Sequence, residues 1–183
     1  MYGVWSHKSM MLRILTLIAG WMALARLHLG IANEDGAHDP SAPFVIADPT
    51  IAQAIYGRLS PAAPVAYYTF TVPDAIGVRV MLLIPSRDCQ SGFMARFALA
   101  GPGLPSGRLF PTTHFTPLTI AGRTYRLIQS YVPPLPSAGV YRIEVRCDAG
   151  SGVYCLCIGT REGGHADAVM RARIERLLDE NRG

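Results

Sequence analysis

The sequence predicts an all-β protein, an antiparallel, jelly-roll-like β-sandwich of seven or eight strands, and three observations carry that reading. Short runs rich in Val, Ile, Tyr and Phe alternate apolar with polar residues, as half-buried strands do. Pro and Gly separate those runs at regular intervals. No helical periodicity falls between them, which argues for strands paired with strands rather than wound around crossover helices.

Ile51–Leu59 is the first run and Ser60–Pro64 the turn that ends it. In Val65–Val72, Tyr68, Phe70 and Val72 share one face while Tyr67, Thr69 and Thr71 share the other. Val78, Val80, Leu82 and Ile84 make the inward face of the next strand, which Pro85 closes. Phe93, Ala95, Phe97 and Leu99 do the same in the strand after it. Residues 108–123 alternate poorly and read as a surface excursion with one short strand. Thr124–Val132 resumes the sheet.

The last two strands read as a hairpin. Tyr141, Ile143 and Val145 alternate with Arg142, Glu144 and Arg146, residues 148–152 supply a tight reversal, and Val153–Gly159 forms the second arm. Beyond it, Met170, Ile174, Leu177 and Leu178 recur at helical spacing, with Arg171–Glu175 and Arg176–Glu180 placed as four-apart ion pairs. This amphipathic tail either packs on its own domain or docks on a partner.

The N-terminus has the three parts of a secretory signal: Arg13, a twelve-residue apolar run over residues 14–25, and small-residue exits at Ala23–Ala25 and Gly30–Ala32. The run is shorter than the roughly 20 residues of a spanning helix. An uncleaved anchor is the alternative. The expected organisation is therefore a signal or anchor over 1–32, a linker over 33–43, a sandwich over 44–162 and a helical tail over 163–183. Export places the protein in the periplasm or outside the cell, tethered if the N-terminus stays.

Charge narrows the partners. Three of the 17 basic residues lie in the first 32, leaving 14 arginines against 13 acidic residues. A nearly neutral body lacks the clustered cations that nucleic acid demands. Four cysteines in an exported chain permit disulfides. Cys89 and Cys147 are the candidates, a loop tied to a strand end, while Cys155 and Cys157 share a strand face and are poorly placed to bond each other. Two thiols with no further ligand nearby are half a metal site, so no cofactor or metal is expected.

The runs Tyr67–Pro73, Val78–Ile84 and Ala98–Gly103, together with Ala138–Val145 and Gly152–Gly159, resemble the bacterial pre-peptidase C-terminal type of β-sandwich. The likeness spans roughly residues 50–160. It implies an extracytoplasmic, non-catalytic module, one that often accompanies secreted enzymes or is displayed on envelopes. Val65–Ala66 stand where that family often carries an Asp, so no cation role of that position is implied here.

Chemistry has little to work with: His114 is the one histidine inside the domain, and no nucleophile elbow, phosphate loop or zinc-protease motif occurs. Binding is the remaining class. Phe110, His114, Phe115 and Tyr125 form a candidate contact patch, with Met170, Ile174, Leu177 and Leu178 as a second. The expected role is a structural or accessory subunit that binds a protein partner, a membrane-associated envelope complex on the outer side of the cytoplasmic membrane. The alternative is a carbohydrate-binding module that stacks Phe115 and Tyr125 on sugars.

Overall fold

The computed structural model describes residues 28–105 and 108–179. The apolar run 14–25 and its exit at Ala23–Ala25 lie outside them, as does Glu180. In chain order the elements are β1 (Leu29–Ala32), β2 (Phe44–Val45), β3 (Gln53–Leu59), β4 (Val65–Val72), β5 (Ile76–Gly77), β6 (Val80–Pro85), α1 (Ser86–Gln90) and β7 (Met94–Ala100). They continue with β8 (Arg108–Leu109), β9 (Thr112–Ile120), β10 (Arg123–Tyr131), β11 (Pro134–Leu135), β12 (Gly139–Ala149), β13 (Gly152–Ile158) and α2 (Ala168–Asp179).

Two sheets face each other: one of six strands in the order β1-β3-β13-β6-β10-β9, one of five in the order β2-β4-β12-β7-β8. A small ribbon joins β11 to β5. Between the sheets lies one core, to which Ile55, Leu82 and Leu156 contribute from the six-stranded side and Tyr68, Phe97 and Ile143 from the other. The inward faces predicted for β4, β6, β7 and β12 are the observed ones; in β4, β7 and β12 a wetter outer side forces the alternation, whereas β6 is buried at every residue.

The final pair is not a hairpin. β12 is hydrogen-bonded to β4 and β7, whereas β13 lies between β3 and β6 in the opposite sheet. Residues 150–151 carry the chain across the sandwich as an arch, with Gly150 at φ +66° against the backbone of Gly92. The physical reason is visible in the pattern. Two arms of one hairpin share the same two faces, yet β12 is wet on one side and β13 is buried at every residue.

Three further departures are local. The excursion at 108–123 contains β9, an edge strand of nine residues, paired along β10. The two join through Ala121 and Gly122, both at positive φ, as a two-residue hairpin turn requires. The loop around Cys89 is the short helix α1. Two edge pairs, β1 with β3 and β2 with β4, are parallel, because the N-terminal stretch crosses from one sheet to the other before each chain reversal.

β1 changes the view of the leader. Gly30–Ala32 was a possible exit site, but these residues sit in register with Ala54–Tyr56, and Asn33 N–H donates to Tyr56 O at 2.8 Å. The stretch expected as a linker is likewise docked: Tyr67 N–H donates to Ala37 O at 2.9 Å and His38 Nδ1 lies 2.7 Å from Val65 O. A cut after Ala32 removes a strand; a cut after Ala25 leaves the sheet whole.

Ionisation of the buried groups fixes a pH response. Burial pushes Tyr68 up to about 12 against opposing hydrogen bonds from Tyr154 and Asn33. Burial also pushes Tyr125 to about 12, and Tyr154 and the Cys155 thiol well above their ordinary values. Raised native values mean that the unfolded chain loses these protons first, so stability is fully present below the unfolded pKa values and falls as pH rises through the native ones. Urea midpoints should hold from pH 7 to about 9 and then drop, with roughly 1.4 kcal/mol lost per pH unit for each buried tyrosine above about pH 10. A midpoint unchanged at pH 11 would contradict this.

Candidate functional site

The outer faces of the two sheets have opposite chemistry. On the five-stranded sheet β12 displays Arg142, Glu144 and Arg146, β7 adds Arg96 and β8 adds Arg108. Arg146 stands directly opposite Arg96 across the strands, a repulsive pairing. Carboxylates relieve it: Arg96 Nε is 3.0 Å from Asp148, Arg146 Nη2 is 3.4 Å from Glu144, and Arg108 also bonds Glu144. Exposed ion pairs of this kind contribute only about 0–1 kcal/mol to stability, so their effect is to hold the guanidinium groups in place. The Arg108 guanidinium lies 5.3 Å from the ring centre of Phe110, within cation–π range. Phe110 is 60% exposed. Between Arg96, Arg108, Phe110, Glu144 and Arg146 is a hollow of about 260 Å³.

The loop bearing Phe110 is fixed from the opposite sheet. Gln129, buried on β10, accepts from Phe97 N–H at 2.5 Å through Oε1 and donates to Pro111 O at 2.9 Å through Nε2. One amide thus joins β10 to β7 and pins the residue next to Phe110. Sequence reading missed Gln129, since a single Gln in an apolar strand carries no periodic signal.

The predicted aromatic patch is divided. Phe110 belongs to the arginine-rich face. His114 and Phe115 lie on edge strand β9 at a bulge opposite Leu127–Gln129, with Phe115 at φ +63° and 50% exposed. Tyr125 is only 2% exposed and packs among apolar side chains of the six-stranded sheet, with Met81, Leu83 and Leu127. His114 Nε2 is 2.8 Å from Ser130 Oγ, the contact from which nucleophilic catalysis is assembled. Among the described residues no carboxylate orients the second ring nitrogen of His114.

The outer face of the six-stranded sheet is apolar. Val153, Cys155 and Cys157 of β13 point outward, as do Ala54 and Tyr56 of β3, Met81 and Leu83 of β6, and Tyr125 of β10. Over one end lies α2, whose Ile174, Leu177 and Leu178 are buried, the first and last against Val153. The Met170 sulfur accepts from Ala32 N–H at 3.0 Å. The apolar stripe of the tail therefore meets its own domain, and contact with a partner through it would require the helix to leave. Glu175 is drawn from Arg171 to Arg123 on β10, and Arg173 and Arg176 reach Glu34 at 3.4 and 4.0 Å. Between the sheet and α2 remains a cavity of about 310 Å³.

All four cysteines are free thiols. Cys89 and Cys147 are half-buried against the edge of the main core, and burial raises both thiols. Cys155 and Cys157 have their sulfurs 3.6 Å apart. A raised thiol pKa makes a weak nucleophile and a poor metal ligand.

No protein-family model matches this chain, and no curated protein matches it. Among solved structures it is similar to the pre-peptidase C-terminal domain of collagenase from Bacillus anthracis, at 16% identity over 66% of this chain and 97% of that one, with a TM-score of 0.44. It is also similar to PliG from Aeromonas hydrophila, a periplasmic lysozyme inhibitor of g-type lysozyme, at 13% identity over 71% of this chain and 97% of that one, with a TM-score of 0.34. The first is a domain of the type that the strand motifs resemble.

Proposed function

We propose that this chain is an exported, non-catalytic β-sandwich that serves as an accessory subunit on the outer side of the cytoplasmic membrane, binding a protein of a membrane-associated envelope complex. The observation that carries the reading is the exposed Phe110 ring with Arg108 beside it, set in a face of ordered arginines. Aromatic and arginine side chains dominate the energetic centres of protein interfaces. The complementary partner presents an apolar socket for the ring with carboxylates around it. Export rests on the signal-like pattern of residues 1–32. Among the described residues no helix is long and apolar enough to cross a membrane.

The sugar-binding alternative loses its platform, because Tyr125 is buried and is not displayed beside Phe115. The test is a photo-crosslinking amino acid at position 110 in producing cells, followed by affinity measurement with the protein it captures. Phe110→Ala and Arg108→Ala should each weaken binding at least tenfold, and added salt should weaken the wild type. Both variants binding within twofold of wild type, with unchanged melting, would remove this face as the interface.

A further inference from the structure

We propose that the cavity between the six-stranded sheet and α2 binds one small single-chain alkyl carboxylate, with its chain on the apolar sheet face and its head at Arg79 and Arg171. An antiparallel sandwich sheet ordinarily keeps its outer side polar, as the five-stranded sheet here does. The six-stranded sheet instead floors a hollow with Tyr56, Met81, Leu83, Tyr125, Cys155 and Cys157. Tyr56, Tyr125 and the Cys155 thiol are uncharged at neutral pH, and burial raises each further above it. An apolar chain is accepted there and a charged head is not.

Size and charge narrow the ligand further. The volume of about 310 Å³ is at the small end of the roughly 300–1,000 Å³ typical of ligand pockets and holds about ten water-sized groups. That limits the tail to roughly ten carbons and leaves no room for two acyl chains. The lining also includes Arg79, Arg123, Arg171, His28 and His165, with Glu175 as its one carboxylate. Glu175 bonds Arg123, which Asp179 also approaches at 3.7 Å. Among the described residues neither Arg79 nor Arg171 has a carboxylate within ion-pair distance. Two cations without counter-charges beside an apolar hollow complement an anionic head, and a guanidinium pairs with a carboxylate through two parallel hydrogen bonds.

The experiment is calorimetric titration of the protein as released by its expressing cell, in detergent-free buffer, with decanoate, octanoate, decanol and decyltrimethylammonium. Decanoate should bind once per chain, with octanoate about fifteenfold weaker, as two methylenes at roughly fourfold each imply. Decyltrimethylammonium should not saturate. Arg79→Gln combined with Arg171→Gln, at a half-buried and an exposed position, should weaken decanoate about tenfold and leave decanol unchanged. Absence of saturable decanoate binding overturns the proposal, as does equal affinity for decanol and decanoate. Binding only to phosphatidylglycerol vesicles would make the face a membrane contact, and dimerisation that decanoate does not reverse would make it a self-contact; either result also overturns it.

Discussion

Replacing Gln129 with leucine should cost about 2–5 kcal/mol and lower the melting temperature by roughly 10 °C. The side chain is buried, accepts from Phe97 N–H and donates to Pro111 O. Phe97 lies on the margin of β7 that β8 covers only at Leu99 and Ala100, so its N–H has no ladder partner there. Leucine fills the space and leaves two buried polar groups unsatisfied, each costing about 1–3 kcal/mol. With a total stability of about 5–15 kcal/mol for a domain of this kind, the loss is a large fraction. The variant should also weaken partner binding more than its stability change explains, because Pro111 anchors Phe110. Urea denaturation and the crosslinked partner's affinity measure the two effects; a stability loss under about 0.5 kcal/mol would show that Gln129 does not join the sheets.

Tyr154→Ala should be at least as damaging, at about 3–5 kcal/mol. Its ring is fully buried on β13, and its hydroxyl is 2.5 Å from that of Tyr68, which Asn33 also approaches at 3.4 Å. Gly57 makes room for it: a Cβ there would come within 2.5 Å of the Tyr154 oxygen. Tyr154→Phe keeps the ring and removes one hydrogen bond, so a smaller loss of about 1–2 kcal/mol is expected. The comparison separates packing from bonding. Equal losses in the two variants would mean that the hydroxyl contact outweighs the ring.

Much of the body was legible because one side of the five-stranded sheet is wet. Tyr68, Phe70 and Val72, or Tyr141, Ile143 and Val145, can face the core in only one way once their neighbours are Thr, Arg and Glu. Legibility fails where that contrast is missing. Val153–Ile158 is apolar at every position, and proximity to β12 suggested a hairpin, although an unbroken apolar run more properly indicates a central strand covered on both faces. The same run, with Met81–Ile84, was the available signal that the six-stranded sheet has an apolar outer side. Strand β9 was obscured by Pro117, by the bulge at Phe115 and by a turn that uses Ala121 where Asn or Gly is usual. Leu29–Ala32 fits a strand and a signal exit equally well, because both favour small and apolar residues. Of the site, Phe110 was identified from its loop, whereas Tyr125 was misplaced by the reading of 108–123 as irregular.

The arch between β12 and β13 gives the last strand of the chain a central seat. β3 and β6 are both flanked by β13 and were synthesised some 70 to 100 residues before it. Until residues 152–158 emerge, β1 and β3 have no link to β6, β10 and β9 in that sheet, and such long-range closure makes folding slow. The six-stranded sheet is thus completed only when the end of the body has been made, and until then β3 and β6 each keep an unpaired edge where β13 will sit.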